Sequence, residues 1–200
     1  MSITQRLGKK TTYGWTLTIP MPVNELNQQV KIWMQLAWDA YAKKRLIQVF
    51  HYFHRALEYA EQRELEYEIA WICRDLGYVH LRQGSLNQAL DYLNKGLSLH
   101  VEELEIEIRV GLITNKASVL ARLGFYRKAV ALLDQGASLI LIHYQSLSLA
   151  PSHMVLSYAG ILRMAKDLRK VVALLNQGIR PDRIQVEIKG YSPYGHTENE

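Results

Sequence analysis

The sequence predicts an all-α fold, a solenoid of about four helix–turn–helix repeats, and three observations lead there. First, one phrase recurs: ALDYLNKG at 89–96, AVALLDQG at 129–136 and VVALLNQG at 171–178. The starts are 40 and then 42 residues apart, and a fainter copy, VFHYFHRA, stands at 49–56. Self-similarity at such a period signals a stacked-repeat architecture. Second, the phrase places small or branched residues (Val49, Ala89, Ala129, Val171), large apolar residues (Phe53, Leu93, Leu133, Leu175) and small residues again (Ala56, Gly96, Gly136, Gly178) at steps of four and three. Those steps put all of them on one helical face. Glycine within a helix is about 1 kcal/mol worse than alanine, so glycine at one register in three units points to tight helix–helix contact. Third, no proline occurs from 23 to 150, which permits uninterrupted helices.

The elements follow in chain order. Residues 1–23 differ in character from the rest. Thr11 to Ile19 (TTYGWTLTI) is rich in threonine and aromatics and alternates with period two, as a short strand or extended arm would. Asn24 reads as a helix N-cap with Glu25 favourable in the first turn. Helices are expected near 25–43, 46–60, 64–82, 86–100, 106–122, 126–144, 152–165 and 168–179. Lys43-Lys44-Arg45, Gln83-Gly84-Ser85, Leu123-Gly124-Phe125 and Lys166-Asp167 form the turns within units. After Pro181, RIQVEIK (183–189) alternates like a strand, and the polar GYSPYGHTENE that follows is expected to be disordered. The organisation is thus an arm over 1–23, a repeat domain over 24–180 and an extended, partly disordered tail over 181–200.

Composition narrows the function classes. Apolar residues make up 48% and charged residues 22%, ordinary globular values. Runs such as SLILI (138–142) are far short of the ~20 residues a membrane span needs. Arg6, Lys9 and Lys10 have no apolar stretch behind them, so no secretory signal is expected. A single cysteine, Cys73, leaves no internal disulfide and fits a reducing compartment, so a cytoplasmic protein is expected. The net charge of +5 conceals an alternation. Residues 1–60 carry +5 (8 basic, 3 acidic), 61–110 carry −5 (5 basic, 10 acidic) and 111–200 carry +5 (11 basic, 6 acidic). Nucleic-acid binders usually present one continuous basic stripe instead; the alternation suits head-to-tail self-association or an acidic partner equally.

Leu76-Gly77, Tyr78, Gly84, Ala89, Leu93 and Gly96 together resemble the tetratricopeptide repeat, with Cys73 at the motif's tryptophan position and His80 at its usual tyrosine. Ala117, Gly124, Ala129, Leu133 and Gly136 carry the likeness in the next unit. Trp33, Leu36, Ala37, Val49, Phe53 and Ala56 carry it in the first, with a lysine where the turn glycine should be. The unit at 152–179 is the most divergent. A period near 40 instead of the usual 34 implies longer helix pairs. The resemblance implies a right-handed superhelix whose concave face is lined by the first helix of each pair.

It further implies a non-catalytic protein–protein interaction module, an adaptor, scaffold or assembly factor, that binds a partner peptide or helix in that groove. The groove candidates are Trp38, Tyr41, Trp71, Arg74, Tyr78, Arg82, Asn115 and Arg122, with Lys31, Met34, Leu81, Thr114, Ser118, His153, Leu156 and Arg163 on the same face. Aromatics and arginines are enriched at binding hot spots and suit an acidic or aromatic partner. The competing expectation is that Trp38, Trp71 and Tyr78 pack between helices as core. Only Arg74 and Asn115 fall on positions of the family's carboxylate clamp, Tyr78 and Ser157 replacing others, which does not support a C-terminal carboxylate ligand.

No cofactor, metal or catalytic residue is expected. His51 and His54 lie one helical turn apart without a nearby third ligand, Cys73 sits at a core position, and no phosphate loop or nucleophile elbow occurs. Lys43, Lys44 and Arg45, Arg127-Lys128 and Arg169-Lys170 fall at turns along one edge, and an acidic set (Glu61, Glu64, Glu66, Glu68, Glu102, Glu103, Glu105, Glu107) falls at the other. The alternative function is a regulatory or assembly factor that binds nucleic acid or an anionic membrane surface through the basic edge; a solvated edge is the simpler expectation. Tyr13, Trp15, Leu17 and Ile19 give the arm an apolar face that could occupy the groove, join a homodimer or pair with Ile184, Val186 and Ile188.

Overall fold

The computed structural model describes residues 26–99, 106–144, 162–170, 172–173 and 176. Every element among them is helical: α1 (Gln28–Ala42), α2 (Leu46–Gln62), α3 (Glu66–Gln83), α4 (Leu86–Ser98), α5 (Ile106–Arg122), α6 (Tyr126–Tyr144) and α7 (162–170). The arm, the strand-like 183–189, the tail, Gly178 and the groove candidates His153 and Leu156 lie outside the described residues.

α1 opens at Asn27, whose side chain accepts from the Gln29 amide at 3.0 Å. The start is later than the expected Asn24 because a cap must reach an orphan amide two or three residues on, and Asn27 does so. Val30, Met34, Ala37 and Ala40 then point inward at helical spacing. The chain reverses through Lys43 and Lys44, and Lys44 takes φ +57°, the left-handed position that glycine fills at Gly84 (+78°) and Gly124 (+84°). Glu64, at φ +54°, does the same between α2 and α3 and so belongs to the turn, not to the helix expected from residue 64. α5 and α6 occupy the expected ranges.

Connections of two or three residues force each helix pair to fold back on itself, so α1 packs on α2, α3 on α4 and α5 on α6. Successive pairs join through α2 on α3, α4 on α5 and α3 on α5. Cross-contacts fix the directions. The Asn27 amide donates to Glu68 Oε1 (2.9 Å) at one end of α1 and α3, while Tyr41 meets Tyr78 nearer the other. Arg122 donates to the Leu81 carbonyl (2.6 Å) where α5 and α3 both end. α1, α3 and α5 therefore run parallel, and the turns that follow them share one end of the molecule.

The small residues of the recurring phrase are contact points. A Cβ on Gly96 would sit 2.7 Å from a methyl of Leu112 and 3.2 Å from Cβ of Cys73, so α4 approaches α5 and α3 at backbone distance. Ala56 and Gly136 are buried at the same register. One apolar core runs through α1–α5, and a second joins α5, α6 and α7; α5 gives Ile108, Leu112 and Val119 to the first and Val110, Ala117 and Ala121 to the second. The expected turn at Lys166-Asp167 is absent, since helix runs unbroken over 162–170. Met164, Ala165 and Leu168 form a buried face across that point, and neither Lys166 nor Asp167 carries the backbone freedom or restriction that stops a helix.

Candidate functional site

The candidate face is built on α3. From Glu68 to Leu81 fourteen consecutive residues are buried, and Trp71, Arg74, Asp75 and Tyr78 share one side at steps of three, one and three. Arg74 directs Nε (2.8 Å) and Nη2 (2.6 Å) at Asp75 Oδ1, with both side chains almost wholly buried. Trp38 of α1 donates its indole N–H to Asp75 Oδ2 at 2.9 Å. The guanidinium lies 4.0 Å from the Trp71 ring centroid, a cation–π contact. Gly111 of α5 makes the room, because a Cβ there would come within 2.8 Å of Arg74 Cδ. Asn115 reaches the Arg74 carbonyl with its amide at 3.4 Å, and its Oδ1 is buried without a partner, as is Trp71 Nε1.

Aromatic rings extend this centre toward the turn end. Trp38 meets Tyr41, Phe53 and Tyr78 at 5.4, 5.6 and 6.0 Å between centroids, and Tyr41 meets Tyr78 at 6.4 Å. Six of the eight groove candidates thus form one connected cluster across α1, α3 and α5: Trp38, Tyr41, Trp71, Arg74, Tyr78 and Asn115. Arg82 and Arg122 are exposed at the ends of α3 and α5, where Arg122 also caps Leu81.

Exposure divides the set. Trp71, Arg74, Tyr78 and Asn115 are buried (Arg74 is 4% exposed), Trp38 and Tyr41 are half-buried, and only the two terminal arginines stand in water. The expectation that Trp71 and Tyr78 pack as core describes their positions, and Met34 and Leu81 are buried with them. Sequence reasoning missed Asp75 and Gly111, on which the centre depends. The signal for Asp75 was there: an aspartate, a poor helix former, in mid-helix beside Arg74 within an otherwise apolar stretch.

On another side of α3, His80 stacks on Tyr92 (5.4 Å, 11°) and lies 4.7 Å from Phe50, with the exposed His54 6.2 Å from Tyr92. Burial, and then the nearby His54, push the His80 pKa below its ordinary value. Burial pushes the Cys73 thiol up to about 12, so it is a poor nucleophile at neutral pH. Among the described residues, no group of three or more His, Cys, Asp or Glu could hold a metal ion, and no helix is long and apolar enough to cross a membrane. The hydroxyls of Thr114 and Ser118 donate to the Val110 and Thr114 carbonyls at 2.7 and 2.9 Å.

The turn end carries the basic residues. Lys43, Lys44, Arg45, Arg127 and Lys128 are exposed there; Arg127 donates to Asn176 at 2.6 Å, and Lys128 lies 5.4 Å from the Phe125 ring centroid. A cleft of about 290 Å³ opens between the α5–α6 turn and Val172 and Asn176. At the opposite end Glu61 pairs with Lys95, tying α2 to α4. Arg169 pairs with Asp134 of α6.

Compared with known proteins, the chain matches no family model, no curated protein and no solved structure.

Proposed function

We propose that the chain is a right-handed tetratricopeptide-like solenoid acting as a non-catalytic protein-interaction module. The supporting observation is the cluster just described: residues drawn from three successive first helices, 41 positions apart at Arg74 and Asn115, meet on one face. Such a face suits recognition better than chemistry, since it gathers rings and hydrogen-bond donors around a carboxylate already engaged by Arg74 and Trp38. The buried part forms a rigid base, and Trp38, Tyr41, Arg82 and Arg122 form the part a partner reaches. Two aromatics beside two arginines fit an acidic peptide or helix with apolar anchors.

Affinity capture with quantitative mass spectrometry tests this. The full chain is compared with a Tyr41→Ala/Arg82→Glu variant and with an outer-face control, Asn94→Lys. The expected result is one protein depleted at least ~10-fold by the face variant and unaffected by the control, a loss of about 1.4 kcal/mol or more. Identical captured sets from all three proteins would reject the interaction face.

A further inference from the structure

The end of the molecule shared by the α1–α2, α3–α4 and α5–α6 turns borders the interaction face, whose Tyr41, Arg82 and Arg122 stand in the last turns of α1, α3 and α5, and three features give this end a character of its own. The first is charge. Segments 40–50, 80–90 and 120–131, which form the three turns and their flanks, contain no aspartate or glutamate. Lys43, Lys44, Arg45, Arg127 and Lys128 are exposed on it, and the nearest exposed carboxylate on α1, Asp39, lies a turn further back. The second is alignment. Because α1, α3 and α5 run parallel, as the Tyr41–Tyr78 and Arg122–Leu81 contacts require, these cations lie along one edge and can meet one surface together. The third is exposed hydrocarbon. Ile47 is 88% exposed and Phe125 is 51% exposed, and both stand within the basic segments, two residues after Arg45 and two before Arg127.

We propose that this edge docks peripherally on an anionic lipid bilayer. Cations held along one line are attracted to the negative surface potential of such a membrane. Exposed apolar side chains between them gain by entering the acyl boundary, which is how interfacial binders combine charge with burial. Nucleic acid offers the same phosphates and could stack a base on Phe125, but Ile47, the more exposed of the two, is a branched aliphatic with no ring to stack and gains only from an apolar phase. The Lys128–Phe125 pair, a cation over a ring, matches the headgroup level, where polar and apolar surroundings meet.

Co-sedimentation of the full chain with extruded vesicles, of phosphatidylcholine alone or with about one-third phosphatidylserine, tests the proposal. Binding is expected to the anionic vesicles only, and Lys43→Glu/Lys44→Glu is expected to weaken it at least ~10-fold. Ile47→Gln, at a site too exposed to affect folding and with no change of charge, is expected to leave low-salt binding and abolish the part that survives ~0.5 M salt. Equal binding to neutral vesicles, or full binding by the lysine double variant, would overturn the proposal. So would tighter binding to a ~20-base-pair DNA duplex that Ile47→Gln leaves unchanged. Tyr41→Ala, which removes a ring of the interaction face and no charge, should keep its vesicle binding, and Ile47→Gln should keep the captured partner, so either reading can fail without the other.

Discussion

α2 and α3 are successive helices of nearly equal length, 17 and 18 residues, yet they stand in opposite relations to solvent. α2 buries Val49, Phe53, Ala56, Leu57 and Ala60 and shows water its other sides. α3 is enclosed from Glu68 to Leu81 and takes Arg74, Asp75 and His80 into the interior with it. An amphipathic helix needs only one apolar stripe to be stable. A helix packed on all sides must satisfy its polar groups internally, because a buried charge without a partner is far more costly than an exposed one. Polar residues that would be solvent-facing on α2 become structural on α3, and the same residue types carry very different energies.

The largest expected effect follows from that difference. Asp75→Ala strips the buried Arg74 of its carboxylate and the Trp38 indole of its acceptor, and should cost about 3–5 kcal/mol in urea unfolding. Glu61→Ala, which removes the exposed α2 partner of Lys95, should cost less than about 1 kcal/mol. Similar losses from the two would erase the distinction between the helices. A sharper version replaces both charges: Arg74→Met/Asp75→Leu should be less destabilising than Asp75→Ala alone, since no orphan charge remains.

A middle-sized effect tests how closely α3 is enclosed. A Cβ on Gly77 would lie 2.5 Å from Cγ of Leu93, the branch point of that side chain rather than its flexible end. Alanine is worth about 1 kcal/mol over glycine in an open helix, whereas overpacking costs about 1–3 kcal/mol. Gly77→Ala should therefore be net destabilising, by roughly 1 kcal/mol, and adding Leu93→Ala should remove the penalty specific to Gly77. A stabilising Gly77→Ala would mean that α3 and α4 stand further apart than their backbones indicate.

The contrast also explains what could be read before folding. The recurring phrase belongs to α4 and α6, whose one-sided burial writes itself as a period, and their starts at 86 and 126 agree with expectation. The groove candidates were legible as one face because the resemblance to the repeat family carries the same positions onto the first helix of each unit. Their accessibility was not, since Trp71, Arg74 and Tyr78 have the composition of a binding surface and the position of a core. What decides between the two is contact across about 40 residues, such as Trp38 with Asp75 or Gly111 against Arg74, and no local pattern contains it. The turn at Lys166-Asp167 failed for the opposite reason: the period placed it there, but Met164, Ala165 and Leu168 continue a buried stripe through it.

The smallest effect concerns the turns that bracket the two helices. Lys44 before α2 and Glu64 before α3 hold left-handed backbone, as Gly84 and Gly124 do after α3 and α5. A side chain in that conformation costs on the order of 1 kcal/mol, partly offset because glycine adds conformational entropy to the unfolded chain. Lys44→Gly should thus stabilise by about 0.5 kcal/mol, and Gly84→Ala should destabilise by about 1 kcal/mol. Nothing lies within 4 Å of a Cβ built on Gly84, so its effect isolates the backbone term from packing. Opposite signs at equivalent turns would show that the first unit keeps its lysine at the expense of stability. Lys44 also stands on the basic edge, so Lys44→Gly should raise the urea midpoint while weakening binding to anionic vesicles. A variant that gains stability and loses no binding would make Lys44 a tolerated substitution in the repeat pattern, with no part in the edge.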